Sequence, residues 1–210
     1  MAVLISFSRT ASAIGAALAL LVAAPAESTS NASGAPQTAT LTPLDEALAR
    51  AFPGARIEPH PLALSAADVK EVEQRAHARC EPRLVTAYVA WRGDTLAGVA
   101  YTDRRVIRTR EALLLIAIAP DTTIARIDVL AFFEPPDYRP AERWLARFRG
   151  AAATAALAPG RDLPPLAGAS LTSRAVSESA RLALAWHALL LAPELAKSAG
   201  KAPKPRESER

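Results

Sequence analysis

Near the end of the chain, seven consecutive residues combine a glycine, three hydroxyls and an arginine: Gly168, Ala169, Ser170, Leu171, Thr172, Ser173 and Arg174. Pro164 and Pro165 restrict the backbone on the approach, and Gly168 can adopt conformations closed to other residues and let a ligand come close to the main chain. Directly behind them Val176, Ala180, Leu184, His187 and Leu191 recur at helical spacing. One of Ser170, Thr172 and Ser173 is therefore expected to be the N-cap of a helix. The free N–H groups and dipole of such a helix start favour an anion such as phosphate, and Arg174 can add a charged hydrogen bond. On spacing alone a plain capped turn accounts for the same residues.

Residues 167–176, Ala-Gly-Ala-Ser-Leu-Thr-Ser-Arg-Ala-Val, are similar to a known signature. It is the Ser-Gly-Ala-Thr-x-Thr-Ser-x-Ala-Val of the FMN-binding domain in the flavin subunits of bacterial Rnf complexes and sodium-pumping NADH:quinone reductase. In that family a flavin transferase links FMN through its phosphate to the threonine directly after Gly-Ala. The resemblance implies Ser170 as the acceptor, Thr172 as the fallback, and Gly168, Ala169, Ser173 and Arg174 around the phosphate. Ser170 replaces the usual threonine, and Ala167 replaces a serine or threonine. Asp162 resembles an aspartate that precedes the signature, at a slightly longer separation. Glu134-Pro135-Pro136 resembles a glutamate and proline turn that borders the flavin, with Pro135 in place of threonine. The likeness spans residues 66–191. It implies an exported electron-transfer module without a substrate site of its own, passing electrons between a membrane-bound redox partner and another acceptor outside the cytoplasm.

The elements that must position these residues are legible from the apolar pattern. Residues 43–51 carry Leu44, Ala47, Leu48 and Ala51 at helical spacing and stop at Phe52-Pro53-Gly54. An extended piece with Ile57 and Leu62 follows. Ser65 then caps a second helix with Val69, Val72, Ala76 and Cys80 along one face. From Arg83 the period becomes two, and Arg92-Gly93-Asp94 between residues 84–91 and 95–101 reads as a hairpin. Residues 112–119 form an almost unbroken aliphatic run, a buried strand. In residues 124–133, Ile127, Val129, Ala131 and Phe133 alternate with Arg126, Asp128, Leu130 and Phe132. A helix is expected over 140–149 with Trp144 and Phe148 on one side, and an apolar last helix stopped by Pro193. Phe132, Phe133 and Trp144 fit the core better than the wall of a flavin ring. The fold class is α+β, an antiparallel sheet packed against helices in a single domain over 43–193.

Residues 11–24 form an alanine- and leucine-rich run closing in Ala24-Pro25-Ala26. At about 14 residues it is too short to span a bilayer and ends in small residues, so residues 1–26 read as a signal peptide. A flexible leader over 27–42 and a disordered charged tail over 194–210 complete the organisation. The expected location is periplasmic or otherwise extracytoplasmic, at the membrane where the redox partner lies. The 210 residues carry 25 Lys and Arg against 21 Asp and Glu, and losing Arg9 with the signal lowers the net charge from +4 to +3. No segment has the basic clustering with interleaved aromatics of a nucleic-acid surface. The lone Cys80 excludes an internal disulfide and a cysteine-ligated metal pair. His60, His77 and His187 sit in three different settings, and no candidate base lies near Ser170 or Ser173, which argues against a hydrolase. A second reading stays open: a flavin-free exported binding or assembly subunit on the same scaffold.

Overall fold

The alternating segments pair in chain order. β2 (Arg56–Ala63), β3 (Leu84–Arg92), β4 (Thr95–Val106), β5 (Glu111–Ile118) and β6 (Ile124–Phe132) form consecutive antiparallel neighbours. Arg92 pairs with Thr95, closing a two-residue turn at Gly93 and Asp94 as the hairpin signal requires. The computed structural model describes residues 40–166 and 168–199. The expected signal peptide, most of the expected leader, Ala167 and residues 200–210 lie outside the described residues. At the near end of the leader the structure differs from expectation. Thr40–Leu41 form β1, a two-residue strand on the outer edge of β6.

Both faces of the sheet are covered, which explains the unbroken aliphatic run. On one face α1 (Leu44–Ala51) and the following Phe52 pack Ala47, Leu48 and Phe52 against Ala90, Ala100, Leu115, Ala117 and Leu130. The opposite face takes Leu114, Ile116 and Ile118 of β5 and is covered by α2 (Ala66–Ala76) and α4 (Ser170–Trp186). Alternate residues of β5 over 112–118 thus serve two cores, and none of them is polar.

The alternation expected in β6 fails for a definable reason. Its register against β5 slips twice, leaving Ala125 and Leu130 as inserted residues. Each insertion moves the following side chains to the other face. The residues that join the α4-side core are therefore Ile124, Ile127, Val129 and Phe132. Phe133, expected inside, is 41% exposed.

Several helices end earlier or later than their apolar pattern. Ser65 and Asp68 form a reciprocal capping box at the start of α2, worth about 1 kcal/mol. The helix stops at Ala76 with His77 left-handed at φ 46°. Cys80 is thus past its end, though still buried, and burial pushes its thiol pKa up. Between 140 and 149 the regular helix is one turn, α3 (Glu142–Leu145), continued by a 3-10 turn at Ala146–Phe148. Trp144 and Phe148 do share a side, edge to face at 5.2 Å. Pro193 does not stop the last helix. A π-helical turn at His187–Leu191 precedes it, and Pro193 lies inside the continuing helix as the second residue of α5 (Ala192–Ala199). Residues 194–199 are consequently helical and not part of a tail.

At Gly98 the sheet packs directly against Phe52, the residue after α1. A Cβ there would lie 2.4 Å from the Phe52 ring and 2.6 Å from the Ile118 carbonyl oxygen, at a backbone φ of +148°. Gly98→Ala is expected to destabilise the fold by about 2–4 kcal/mol and lower Tm by roughly 5–15 °C. Thermal unfolding followed by circular dichroism checks this; an unchanged Tm contradicts the packing described.

Candidate functional site

The last described turn before α4 delivers its first hydroxyl to the surface. Gly168 is left-handed at φ +71°, with open space where a Cβ would stand. Ala169 follows, buried, its N–H donated to the Leu166 carbonyl at 3.0 Å. The N-cap is Ala169, so the expectation of a serine or threonine cap is overturned. Ser170 is already the first helical residue, and among the described residues no side chain accepts from the first turn of α4. The chain reaches the helix one residue earlier than the hydroxyl pattern suggests, because Gly168 supplies the reversal in place of a cap.

The three hydroxyls then separate by helical phase. Ser170 is exposed. Thr172 is 1% exposed, and its hydroxyl has no hydrogen-bond partner among the described residues. Ser173 is also buried and donates back to the Ser170 carbonyl at 2.8 Å, a bond internal to the helix. Arg174 is exposed one turn beyond Ser170, and no carboxylate pairs with it among the described residues. Thus Gly168, Ala169, Ser170 and Arg174 share the helix mouth, while Thr172 and Ser173 turn into the fold. Of the two candidate acceptors, only Ser170 presents its hydroxyl to solvent.

Beside this mouth lies a cavity of about 290 Å³, lined by Leu171, Arg174 and Glu178 of α4 and by Arg104, Ile107 and Glu111 of the sheet end. Arg105 contributes to the same wall. Its guanidinium reaches Asp103 at 2.7 Å and Glu178 at 3.8 Å, fixing the helix to β4.

Glu134 organises the opposite flank of the same hairpin. It is 5% exposed, and one carboxylate oxygen accepts the N–H groups of Arg108, Thr109 and Arg110 at 3.0, 2.8 and 2.9 Å. The β4–β5 turn is therefore wrapped around a carboxylate. Burial opposes ionisation of Glu134, but the three N–H donors and the nearby Arg108 charge outweigh it and hold the carboxyl below its ordinary value. The turn links the predicted regions: Glu134 holds its backbone, and Val106 and Ile107 at its start face Leu171 and Arg174 across the cavity. Arg108 also lies over the Tyr138 ring, 4.7 Å from its centre. Sequence reasoning passed over Tyr138; the signal available was an aromatic four residues after Glu134 in a turn containing two prolines.

Other residues singled out from the sequence have internal duties. Phe132 and Trp144 are core, as favoured over a flavin wall. Asp162 accepts the Ala158 N–H at 3.0 Å in a local turn. His187 is buried, 3.4 Å from the Tyr101 hydroxyl, and burial lowers its pKa. His60 pairs with Glu194 at 2.9 Å, beside a cleft of about 660 Å³ lined also by Trp91, Leu191 and Leu195. No hydrogen bond joins a histidine to Ser170 or Ser173 among the described residues. No helix among them is long and apolar enough to cross a membrane. The chain matches no family model, no curated protein and no solved structure.

The Glu134 arrangement has a pH signature. A carboxyl whose pKa is depressed by folding adds stability above its unfolded pKa and loses it as pH falls through the ordinary glutamate range near about 4.3 and below. Glu134→Ala, which orphans three N–H groups, is expected to cost about 2–4 kcal/mol at neutral pH and much less at pH 3. Denaturant titrations at both pH values test this; an equal loss at the two would rule out the ionised carboxylate as the turn's anchor.

Proposed function

We propose that this protein is an FMN-carrying electron-transfer module, with the flavin phosphate seated at the mouth of α4 and esterified to Ser170. The observation that carries the reading is the exposure of Ser170 at the first position of a 17-residue helix whose first turn no side chain caps among the described residues. Uncapped N–H groups and the positive end of the helix dipole suit a phosphate. Arg174 would add a charged donor, and left-handed Gly168 would keep the approach free of a side chain.

The cavity beside the helix is at the small end of the range for ligand pockets. It would shelter part of the nucleotide and leave the rest at the surface, where Phe133 and Tyr138 offer apolar area. When bound, the flavin supplies the redox chemistry. The chain's own residues hold the phosphate, set the local polarity through Arg174 and the Glu134-centred turn, and exclude water from one side of the site. Attachment needs a separate flavin transferase, and the redox partner would be membrane-bound, with the protein on the extracytoplasmic side.

The protein purified after export from a host containing the transferase is expected to be yellow, fluorescent under ultraviolet light in a denaturing gel, and modified once, on a peptide containing Ser170. Ser170→Ala should abolish the covalent flavin, and Ser170→Thr should keep it. A colourless, unmodified wild type from such cells favours the flavin-free binding subunit instead.

A further inference from the structure

On the outer edge of β6, remote in sequence from Ser170, three arginines converge on one polar cavity. It measures about 180 Å³, and its lining includes Arg50 of α1, Arg126 and Asp128 of β6, Arg139 from the segment leading into α3, and Glu142 at the start of α3. The cavity exists because β1 pairs with β6 only at Ala131 and Phe132. Among the described residues no strand covers β6 from Arg126 to Val129, and side chains fill the space a strand would take.

The pairing there is uneven, with Arg50 also 3.8 Å from Glu46. Asp128 is met by Arg126 at 2.6 Å and by Arg50 at 3.7 Å, and Glu142 by Arg126 at 3.1 Å. Both carboxylates are therefore engaged by Arg50 and Arg126. Arg139 has no carboxylate partner among the described residues. One of its terminal nitrogens donates to the Val129 carbonyl at 3.4 Å, and the other, Nη1, is buried with no hydrogen-bond partner. A desolvated guanidinium N–H that bonds to nothing is costly, and such groups are ordinarily paired. The three guanidiniums meet three carboxylates in all, so net charge does not select a ligand; the unpartnered donor of Arg139 does, and its planar fork matches an oxyanion bidentately.

We propose that this cleft is a binding site for a tetrahedral oxyanion of phosphate size, held by Arg139 with Arg50 and Arg126 at its rim. The inference is independent of the flavin reading, because it uses none of the residues at the mouth of α4. The ligand is recognised by its charge and shape. It is a free inorganic phosphate or the head of a small phosphomonoester, and the two carboxylates bias the site toward weak, exchangeable binding.

The test is a titration of the 15N-labelled protein with inorganic phosphate, followed by NMR, with sodium chloride at matched ionic strength as the control. The amides of Arg126, Asp128 and Arg139 are expected to shift saturably with phosphate and not with chloride. Arg139→Gln should weaken binding by about tenfold or more. Arg50→Gln, on the exposed side of α1 where folding is not at stake, should weaken it by about two- to fivefold. Glycerol phosphate as a second titrant separates the sources: saturation by both ligands assigns a phosphomonoester head, and saturation by phosphate alone assigns the free ion. Shifts that grow linearly and equally with chloride, or wild-type affinity in both variants, overturn the proposal. A colourless protein that still binds phosphate here would sink only the flavin reading.

Discussion

Burial of α4 against the sheet is the constraint from which most of this structure follows. Twelve of its 17 residues are buried, so the helix is a core element, and its polar side chains must be answered from within. Ser177 donates to the Ser173 carbonyl and Ser179 to the buried Asp103 carboxylate, each at 2.8 Å or less. Asp103 in turn takes the Arg105 guanidinium, which reaches on to Glu178. A buried carboxylate needs partners, and at 5% exposure Asp103 has both a hydroxyl and a guanidinium. This chain of partners also pins the helix in one axial position relative to β4.

The same constraint separates residues of one chemical type into different roles. Ser170, Thr172 and Ser173 are near neighbours in sequence, yet a helix rotates about 100° per residue, so only one of them can look outward when the face behind it is sealed. The histidines divide similarly. His187 is held neutral by burial against Tyr101, whose phenol burial pushes up, while His60 sits among solvent-exposed charges. Neither buried group has the exposure or a partner geometry that would make it an acid or base in a reaction.

At the end of the sheet nearest the α4 mouth, order comes from a single carboxylate. The turn between β4 and β5 has no proline and no glycine to fix its backbone locally. Three N–H groups converging on Glu134 replace that local fixing with a tertiary one. The two insertions in β6 act on the opposite edge. They bend the strand, expose Phe133, and with the short reach of β1 leave the edge on which Arg50, Arg126 and Arg139 collect.

Sequence alone determined the α+β class, the hairpin at Gly93 and Asp94, the buried β5, the helix cap at Ser65 and the start of a long helix just behind Gly168. Each rests on local periodicity or turn chemistry, which neighbours in the chain express without help. The tertiary structure decided the rest. Ala169 became the N-cap, Thr172 and Ser173 turned inward, and Glu134 met a turn some 25 residues away. It also set the slips in β6, the continuation of helix through Pro193, and the gathering of three arginines from distant segments. Those outcomes depend on which side of an element faces the core and on contacts between residues far apart in the chain, and periodicity carries no information about either.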